Sequence, residues 1–473
     1  MGGGEVPHGF PVPNPTISYW QSPPHPIASH RTTSILPTTT TFDYIIIGSG
    51  VSGAAVAYKL LHRDPTLSIL MLEARTAASA ASGRNGGHCR AGWWLNFKEY
   101  AAAFGEDEAI KFEQLEEQNV LDIANFVHEH NVECDFQDVE TSDTYYTEEA
   151  WTELLEVIRL REKAYRRRSD VKPLINRSIW HGQNAREHLG LPNILGTVTY
   201  PAHTQNPYLL VCRMLELSLE KGLNLQTNTL ALAVHPVSAT CEGTEKWAVQ
   251  TERGTVRAKE VVLATNAYTN ALHRGIADTG FLDPSRSQVT SLRPEHDMSR
   301  HPAAQHKSIG LNDRGSGDYM MIRAPGLKGA GDVIYGGGRG VSPTREMGVT
   351  DDSTINPKIE EYLKQSAPEV FSRQAWGEKS TEVRDWSGIT CYTPDTFPLV
   401  GEVPGENGLW ASVGMNGHGM AMAFRSAEAL VTMMTTGKEP VWFPKSFRIE
   451  RAWKKPKMDV RPEGATLGPV AVL

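Results

Sequence analysis

The spacing of apolar residues near the start of the chain predicts a strand, a helix and a second strand in succession. Residues 43–47 form a short apolar run typical of a buried strand, and helix-forming residues then continue from 51 to 62. Pro65 ends this helix, and a further apolar run over 67–72 predicts a second strand, which ends at Glu73. This order predicts a βαβ unit, the building block of a parallel sheet.

Periodicity also places the later elements. Apolar residues at three- and four-residue steps predict helices over 99–130, 147–168, 207–221 and 420–434. Apolar or alternating runs predict strands over 231–235, 246–250, 255–257, 260–264, 319–323, 333–338, 382–390 and 409–414. The strand at 260–264 returns to the βαβ unit only after a long insertion, so the first domain is interrupted. The alternating runs from residue 319 onward predict an antiparallel sheet in a second domain.

Three glycines with GxGxxG spacing separate the first predicted strand from its helix. Gly48 allows a tight turn, Gly50 lets the backbone approach a pyrophosphate, and Gly53 lets helix and strand pack closely. Free N–H groups at the helix N-terminus bind phosphate. Glu73 lies about twenty residues beyond the last glycine, where it can accept hydrogen bonds from ribose hydroxyls. The pattern predicts a site for an ADP-containing dinucleotide; the alternative is a glycine-rich turn in an ordinary α/β protein.

A second glycine-rich turn follows the strand predicted at 409–414. Residues 415–419 read MNGHG and lead into a helix, whose N-terminus offers backbone N–H groups and a positive dipole end. A site so far along the chain could receive the other end of a long dinucleotide. Residues 80–94 are rich in glycine and other small residues, which predicts a loop that approaches a neighbouring group closely.

Composition removes several classes of function. The 473-residue chain is 40% hydrophobic and 22% charged, with a net charge of −8. These values are typical of a globular protein of two or three domains and argue against a general nucleic-acid or anionic-membrane partner. No apolar run predicts a membrane span, and neither a secretory signal nor a peroxisomal C-terminus is visible. The five cysteines, without a CxxC pair, favour a reducing compartment; they are Cys89, Cys134, Cys212, Cys241 and Cys391. We expect a cytoplasmic protein.

Two further segments carry simple expectations. Residues 1–41 are rich in Pro, Ser, Thr and His without periodicity, which predicts an extended, partly disordered arm with only Trp20 anchored to the body. His128 and His130 lie two residues apart on a predicted helix, where their side chains face different ways. We therefore expect no metal site there or elsewhere.

Together the motifs resemble the FAD-dependent D-amino-acid oxidase and sarcosine oxidase superfamily over about residues 42–437. The segments that carry the resemblance are GSGVSG at 48–53 with Glu73, SGRNGG at 82–87, ATNAY at 264–268, WSGITCYTPDTFPLVG at 386–401 and GMNGHGMA at 414–421. SGRNGG resembles the branch that contains γ-glutamylputrescine oxidoreductase. The resemblance implies FAD as cofactor and an α/β fold, in which a second α+β substrate domain with an antiparallel sheet interrupts a Rossmann-like FAD-binding domain.

The resemblance also implies domain boundaries and cofactor contacts. The FAD-binding domain is expected at 42–95, 196–285 and 386–440, the substrate domain at 96–195 and 286–385, and a C-terminal tail at 441–473. The glycines of the first motif would hold the pyrophosphate, Glu73 the adenosine ribose, and Val234 the adenine through its backbone. The residues expected to contact FAD are Gly48, Gly50, Val51, Ser52, Gly53, Glu73, Ala74, Arg75, Ser82, Arg84, Asn85, Gly87, His88, Val234, Thr265, Asn266, Gly414, Asn416, Gly417, His418 and Gly419.

The chemistry implied by the resemblance is hydride transfer to the flavin from a carbon beside an amine nitrogen, followed by hydrolysis of the imine. The substrate would be a small amine or amino-acid-like molecule, with oxygen or another acceptor reoxidising the flavin. His88 is expected near the ring, as a base that keeps the amine neutral, as a covalent attachment point or as a hydrogen-bonded loop residue. Arg323 and Tyr319 are expected to grip a carboxylate; a structural ion pair is the alternative.

Two departures from the pattern leave alternatives open. Sarcosine oxidases carry a flavin-linked cysteine near the position of Gly388, whereas here Cys391 lies three residues later. They also carry a lysine just after GHG, where residues 420–422 read MAM. Competing hypotheses are an FAD-dependent dehydrogenase or tailoring enzyme acting on a non-amine metabolite, and a non-catalytic flavin-binding redox sensor. The SGRNGG and GHG segments, both on the ring side, count against the sensor.

Overall fold

A computed structural model describes residues 9–237, 245–306, 308–312 and 317–460. Cys241 and the C-terminal residues 471–473 therefore lie outside the described part of the chain. Its strands are β1 (Thr41–Ile47), β2 (Ile69–Leu72), β3 (His88–Cys89), β4 (Gln137–Tyr145), β5 (Ser178–His181), β6 (Gly196–Thr204), β7 (Asn224–Gln226), β8 (Ala231–Pro236), β9 (Trp247–Thr251), β10 (Gly254–Leu263), β11 (Asp283–Pro294), β12 (Ser308–Leu311), β13 (Asp318–Ile322), β14 (Val333–Gly336), β15 (Ser380–Tyr392), β16 (Leu399–Glu402) and β17 (Leu409–Val413).

The helices lie between these strands and beside both sheets. They are α1 (Val51–Arg63), α2 (Phe97–Phe104), α3 (Glu106–Glu129), α4 (Glu148–Arg166), α5 (Gly182–Leu189), α6 (Pro207–Glu220), α7 (Thr269–Leu272), α8 (Arg274–Ala277), α9 (Pro302–Gln305), α10 (Pro357–Phe371), α11 (Arg373–Trp376) and α12 (Gly419–Thr436). Within the described ranges no helix has the length and apolarity needed to cross a bilayer.

The first sheet has β1 at its centre and confirms the predicted βαβ unit. Its order is β16-β17-β10-β1-β2-β7, and β8 and β9 continue from β10 as an antiparallel hairpin. Ile45 pairs in parallel with Leu70 on one side and Val261 on the other, and all three side chains are fully buried. A parallel strand covered on both faces needs apolar residues at every position, which explains the unbroken isoleucine run.

The second sheet is mostly antiparallel, as predicted. Its order is β15-β11-β14-β13-β12-β4-β6-β3, with β5 paired to β6. One neighbouring pair, β12 and β4, is parallel. The two sheets together confirm the predicted fold class of an α/β sheet combined with an antiparallel α+β region. The domain boundaries stay a prediction, and β6, which they assign to the first domain, pairs with β4 in the second sheet.

Two predicted elements differ from those observed. The single helix predicted over 99–130 is two helices, because Gly105 adopts φ +92° between α2 and α3. One left-handed residue does not disturb an apolar period, so the pattern could not reveal the break. The strands predicted at 255–257 and 260–264 are one continuous strand, β10, which pairs with β9 at its start and with β1 along its length.

Residues 9–40 pack against the body of the protein, in contrast to the expected loose arm. Trp20 is buried as predicted, and its indole Nε1 donates a hydrogen bond to the carbonyl oxygen of Asn85 (2.6 Å). Ser18 is also buried, and its hydroxyl donates to the carbonyl oxygen of Gly83 (2.6 Å). Both contacts lie on the SGRNGG loop, so this N-terminal segment covers one side of that loop.

Both glycine-rich turns lie at the same edge of the first sheet. Helix α1 follows β1, and α12 follows β17; the two strands run in the same direction because each pairs in parallel with β10. Helices α1 and α12 pack against each other along one face of the sheet. Their N-termini therefore converge at the carboxyl edge of the strands, where open α/β sheets bind ligands.

Candidate active site

A cavity of about 610 Å³ opens at this edge and continues to the face of the second sheet. Most of the predicted site residues border it. Those that line it are Gly48, Gly50, Val51, Ser52, Glu73, Ala74, Arg75, Ser82, Arg84, Asn85, His88, Thr265, Asn266, Tyr319, Asn416, Gly417, His418 and Gly419. Gly53, Gly87, Val234, Gly414 and Arg323 do not line it.

The first glycine turn leaves no room for side chains. Gly48 has φ +105°, and a Cβ there would lie 2.7 Å from the carbonyl oxygen of Ala264. A Cβ at Gly53 would lie 2.0 Å from the carbonyl oxygen of Gly48, so only glycine lets the helix pack this closely on the turn. At Gly50 a Cβ would lie 2.9 Å from Ser82 Oγ, so a side chain there would have to displace this hydroxyl. This bare cradle at a helix N-terminus fits a pyrophosphate.

Glu73 is held in one orientation by three hydrogen bonds. Its Oε2 accepts from the backbone N–H and the hydroxyl of Ser49 (3.0 and 2.6 Å), and its Oε1 accepts from the backbone N–H of Arg75 (2.9 Å). The Arg75 guanidinium is itself paired with the buried Asp352 (2.8 Å). The carboxylate is thus preset at the end of β2, as ribose recognition requires.

The SGRNGG loop is fixed mainly by contacts within the protein. Ser82 Oγ accepts a hydrogen bond from the backbone N–H of Val51 (2.8 Å). Arg84 is buried, which lowers its pKa to about 10, and its Nη1 donates to the carbonyl oxygen of Ser387 (2.9 Å). Gly87 has φ +79°, and a Cβ there would lie 2.6 Å from the carbonyl oxygen of Gln205, so close packing of the loop requires glycine at this position.

The second glycine turn is tied to the first sheet and to α3. Asn266 Oδ1 accepts from the backbone N–H groups of Gly414 (3.0 Å) and Met415 (3.1 Å). Gly414 has φ +73°, and a Cβ there would lie 2.9 Å from Thr393 Cγ2; this glycine does not border the cavity. His418 Nδ1 donates to Oε1 of Glu116 (3.1 Å), a fully buried carboxylate on α3 that the sequence did not single out.

His88 and Tyr319 meet at the cavity wall beside the second sheet. Their rings are 5.0 Å apart in an edge-on arrangement. His88 Nδ1 shares a hydrogen bond with the hydroxyl of Ser308 (2.5 Å), whereas Nε2 has no partner among the described residues. The cavity exposes part of the imidazole, yet the surrounding protein is dense enough that burial lowers the pKa of His88 to about 3, with the charge of Arg90 adding to the effect. Burial also raises the pKa of Tyr319.

Two arginines that the sequence did not single out border the same region. Arg90 ion-pairs with the buried Asp143, whose charge outweighs burial and raises the pKa of Arg90. Arg339 lies over the ring of Tyr392, with 4.4 Å from Cζ to the ring centroid. Neither arginine falls within a recognised motif; the only signal for Arg90 is its place in the glycine-rich loop.

Several predicted residues take other roles. Arg323 does not border the cavity, because its guanidinium lies against the Trp20 ring and pairs with Asp135 (2.6 Å). It therefore forms a structural ion pair, which was the alternative to binding a carboxylate. The residues of the β8 region that border the cavity are Leu230 and Ala231, which precede Val234. Cys391 is buried away from the cavity, and burial raises the pKa of its thiol.

The fold and the cavity define a class: a dinucleotide-binding α/β protein whose second sheet closes over one end of the ligand cavity. Residues 43–433 match the protein-family model described as FAD dependent oxidoreductase, DAO. The chain therefore belongs to this family, and FAD is its cofactor. The bare glycine cradle and the preset Glu73 carboxylate fit that cofactor.

Curated relatives match parts of the chain. A glycine oxidase of Pseudomonas putida is 28% identical over 202 residues, which are 43% of this chain and 48% of that protein. A D-amino acid dehydrogenase of Vibrio cholerae is 24% identical over 251 residues, 52% of each chain. The chain thus spans about half the length of the curated relatives it matches.

Solved structures share the fold over most of the chain. L-proline dehydrogenase from P. horikoshii superposes with a TM-score of 0.69 at 18% identity, covering 88% of this chain and 98% of its own. Glycine oxidase from Geobacillus kaustophilus gives a TM-score of 0.67 at 18% identity, covering 86% and 98%. At this identity the likeness shows the fold alone.

Proposed function

We propose that the protein oxidises the C–N bond of an amino-acid-like substrate, and that Arg339 binds the substrate carboxylate. The observation that carries this proposal is the difference between Arg339 and the other arginines that line the cavity. Arg75 and Arg84 lie beside Asp352, and Arg90 is paired with Asp143. Arg339 donates to the carbonyl oxygen of Arg345 and contacts a methionine sulfur, and no carboxylate partner is found for it in the described ranges.

The relatives support the same substrate class. The curated proteins that match the chain include glycine oxidases and D-amino acid dehydrogenases, whose names specify substrates with both an amine and a carboxylate. A guanidinium that borders the cavity and has no carboxylate partner among the described residues is suited to a substrate carboxylate, which it binds through two parallel hydrogen bonds. Tyr319 keeps its hydroxyl proton because burial raises its pKa, so it can donate a further hydrogen bond.

The cofactor would be held at both glycine turns. The N-terminus of α1 would bind the pyrophosphate, Glu73 the ribose, and the turn at 415–419 the pyrimidine end of the flavin. Bound FAD supplies an acceptor for the hydride that leaves the substrate carbon beside nitrogen. The substrate becomes an imine, which water converts to a carbonyl compound and an amine or ammonia, and oxygen or another acceptor takes up the electrons.

His88 is placed to orient the amine while staying uncharged. Its pKa of about 3 keeps the imidazole neutral at physiological pH, so it neither repels a cationic amine nor stabilises one by charge. Its Nε2 is buried and has no partner among the described residues, so we assign His88 a positioning role through the shape of the cavity wall. This arrangement favours positioning over strong base catalysis.

The test compares substrates with and without the carboxylate. Anaerobic flavin reduction is followed with a panel of glycine, D-alanine and sarcosine, and with methylamine, ethylamine and dimethylamine as decarboxylated counterparts. Loss of a charge-assisted contact of about 1.5–3 kcal/mol predicts that Arg339→Ala raises the apparent Kd for amino acids about 10–100-fold. The apparent Kd for the amines should stay unchanged.

Arg300→Ala serves as the control, because Arg300 is an exposed arginine outside the cavity. It should behave as wild type with every member of the panel. Equal effects of Arg339→Ala on amino acids and amines, or no effect on either, would refute the carboxylate role. Flavin that no amine or amino acid reduces would refute the C–N oxidation itself.

A further inference from the structure

Three potential metal ligands converge at the outer side of the second sheet, away from the cavity. They are Glu140 on β4, His188 near the end of α5, and His306 immediately after α9. Glu140 Oε2 lies 3.2 Å from His188 Nε2 and 2.9 Å from His306 Nδ1, and the three ligand atoms lie within 4.8 Å of one another. None of the three residues lines the flavin cavity.

We propose that Glu140, His188 and His306 form a binding site for a divalent zinc ion. Zinc takes imidazole nitrogen and carboxylate oxygen at about 2.0–2.1 Å. A tetrahedral centre with such bonds places its ligand atoms about 3.3 Å apart. The 3.2 Å separation between His188 and Glu140 matches this spacing, and the 2.9 Å separation between His306 and Glu140 is shorter by about 0.4 Å. The two histidine nitrogens lie within 4.8 Å of each other. Two histidines and one carboxylate leave a fourth position for water.

The contact between His306 and Glu140 favours a shared ion over a simple hydrogen bond. The two atoms are only 2.9 Å apart, yet among the described residues His306 Nδ1 is buried and makes no side-chain hydrogen bond with acceptable geometry. The side chain of His306 is 8% exposed, so water does not readily satisfy this nitrogen. A cation between the two groups would satisfy both.

The surroundings orient the ligands. The hydroxyl of Thr199 donates to Glu140 Oε1 (2.6 Å) and accepts from the indole Nε1 of Trp180 (3.0 Å). The Trp180 ring also stacks on His188, with 3.9 Å between centroids. Hydrogen bonds of this kind fix ligand geometry in metal sites. Glu140 and His188 keep part of their surface exposed, which leaves a path for the ion.

A second cluster of potential metal ligands in the structure already contains a positively charged side chain. Glu360, Glu382 and Asp385 also bring ligand atoms together, but Lys364 Nζ lies 2.5–2.9 Å from all three carboxylates. The ammonium already occupies the position that a cation would take. No lysine or arginine contacts Glu140 among the described residues.

Zinc at the proposed site would join three separate elements. It would link β4, α5 and the segment between α9 and β12. His306 lies two residues before Ser308, whose hydroxyl contacts His88 in the cavity wall. The ion would thus fix the segment that positions this hydroxyl.

The test measures metal binding on the tag-free, FAD-loaded protein. The protein is treated with a chelator and dialysed against a series of free zinc concentrations, and bound zinc is counted by mass spectrometry to give stoichiometry and affinity. We expect one zinc per chain in wild type and in the control His235→Ala, whose histidine is exposed on β8. Affinity should fall at least 100-fold in His188→Ala, His306→Ala and Glu140→Gln, and about 10–100-fold in Thr199→Val.

Cobalt substitution gives a readout that does not depend on the variants. Wild-type protein loaded with Co²⁺ should show the strong visible bands of a tetrahedral centre, and the FAD content of each variant reports whether it has folded. Absence of both zinc and the cobalt bands in wild type would overturn the proposal. Equal zinc affinity in wild type and in folded ligand variants would overturn it too, and would identify the cluster as an ion pair.

Discussion

His88 illustrates how the cavity wall sets the state of a single residue. Its ring lies between the Ser308 hydroxyl and the edge of Tyr319, in a setting that disfavours positive charge. In an unfolded chain a histidine binds a proton near pH 6.5, whereas His88 in the fold does so only near pH 3. Between these values the unfolded state carries more protons, so falling pH favours unfolding.

Acid sensitivity of the fold should therefore diminish when His88 is replaced. Between about pH 6 and pH 4, the free energy of unfolding of wild type should fall more steeply than that of His88→Asn, by up to about 1.4 kcal/mol per pH unit. Urea unfolding at several pH values measures the difference. The exposed His235→Asn should keep the wild-type slope. Parallel curves for wild type and His88→Asn would show that His88 is charged in the fold.

The sequence predicts the role of an individual residue best where the requirement is local. Gly48 and Gly53 could be assigned because the turn itself forbids side chains, within a few residues of chain. Arg323 could not, since its role depends on Asp135, far away in the sequence. Arg339 lies in no sequence motif. It differs from the other arginines of the cavity in having no carboxylate partner among the described residues, which only the structure can show.

Among the elements, α3 links two glycine-rich loops that border the cavity. Its Glu116 accepts hydrogen bonds at Oε2 from the backbone N–H groups of Gly92 (2.6 Å) and Trp93 (2.7 Å). At Oε1 it accepts from His418. One buried carboxylate thus holds the loop after SGRNGG and the GHG turn in register with each other.

Removing this carboxylate should destabilise the protein measurably. Glu116→Ala leaves two buried N–H groups unpaired, which predicts a loss of about 2–4 kcal/mol in the free energy of unfolding. Glu116→Gln keeps an acceptor and should lose less than half of that amount. Urea unfolding gives both values.

Glu129→Ala is the matched control, because Glu129 is an exposed glutamate at the end of the same helix. It should stay within about 0.5 kcal/mol of wild type. If Glu116→Ala is no less stable than Glu129→Ala, the loops do not depend on the carboxylate.

Elements were predictable where an apolar period persisted, as in α1, α6 and α12. Helix α3 shows the limit of this approach. Three of its glutamates, Glu113, Glu116 and Glu117, are buried, although an acidic residue on an amphipathic helix normally indicates the solvated face. The partners that compensate their charge come from other elements, so no local pattern could reveal them.

At the scale of the whole molecule, the N-terminal segment completes the site. Its composition predicted an extended, partly disordered arm, because low apolar content usually prevents burial. Two of its few apolar residues are nevertheless buried. Phe10 lines the cavity, and Trp20 covers the loop at Asn85. Contacts with residues far away in the sequence hold this segment against the body of the protein, and composition does not reveal such contacts.

Trp20 should therefore affect both stability and cofactor binding. Truncation of a buried tryptophan predicts that Trp20→Ala lowers the free energy of unfolding by about 3–5 kcal/mol. FAD affinity should fall at least tenfold, because Asn85 loses the hydrogen bond that holds its loop against the cavity. Urea unfolding and flavin fluorescence titration measure the two effects. Ile17→Ala, at a position 59% exposed in the same segment, should change neither. Equal behaviour of the two variants would mean that the segment rests on the surface without shaping the site.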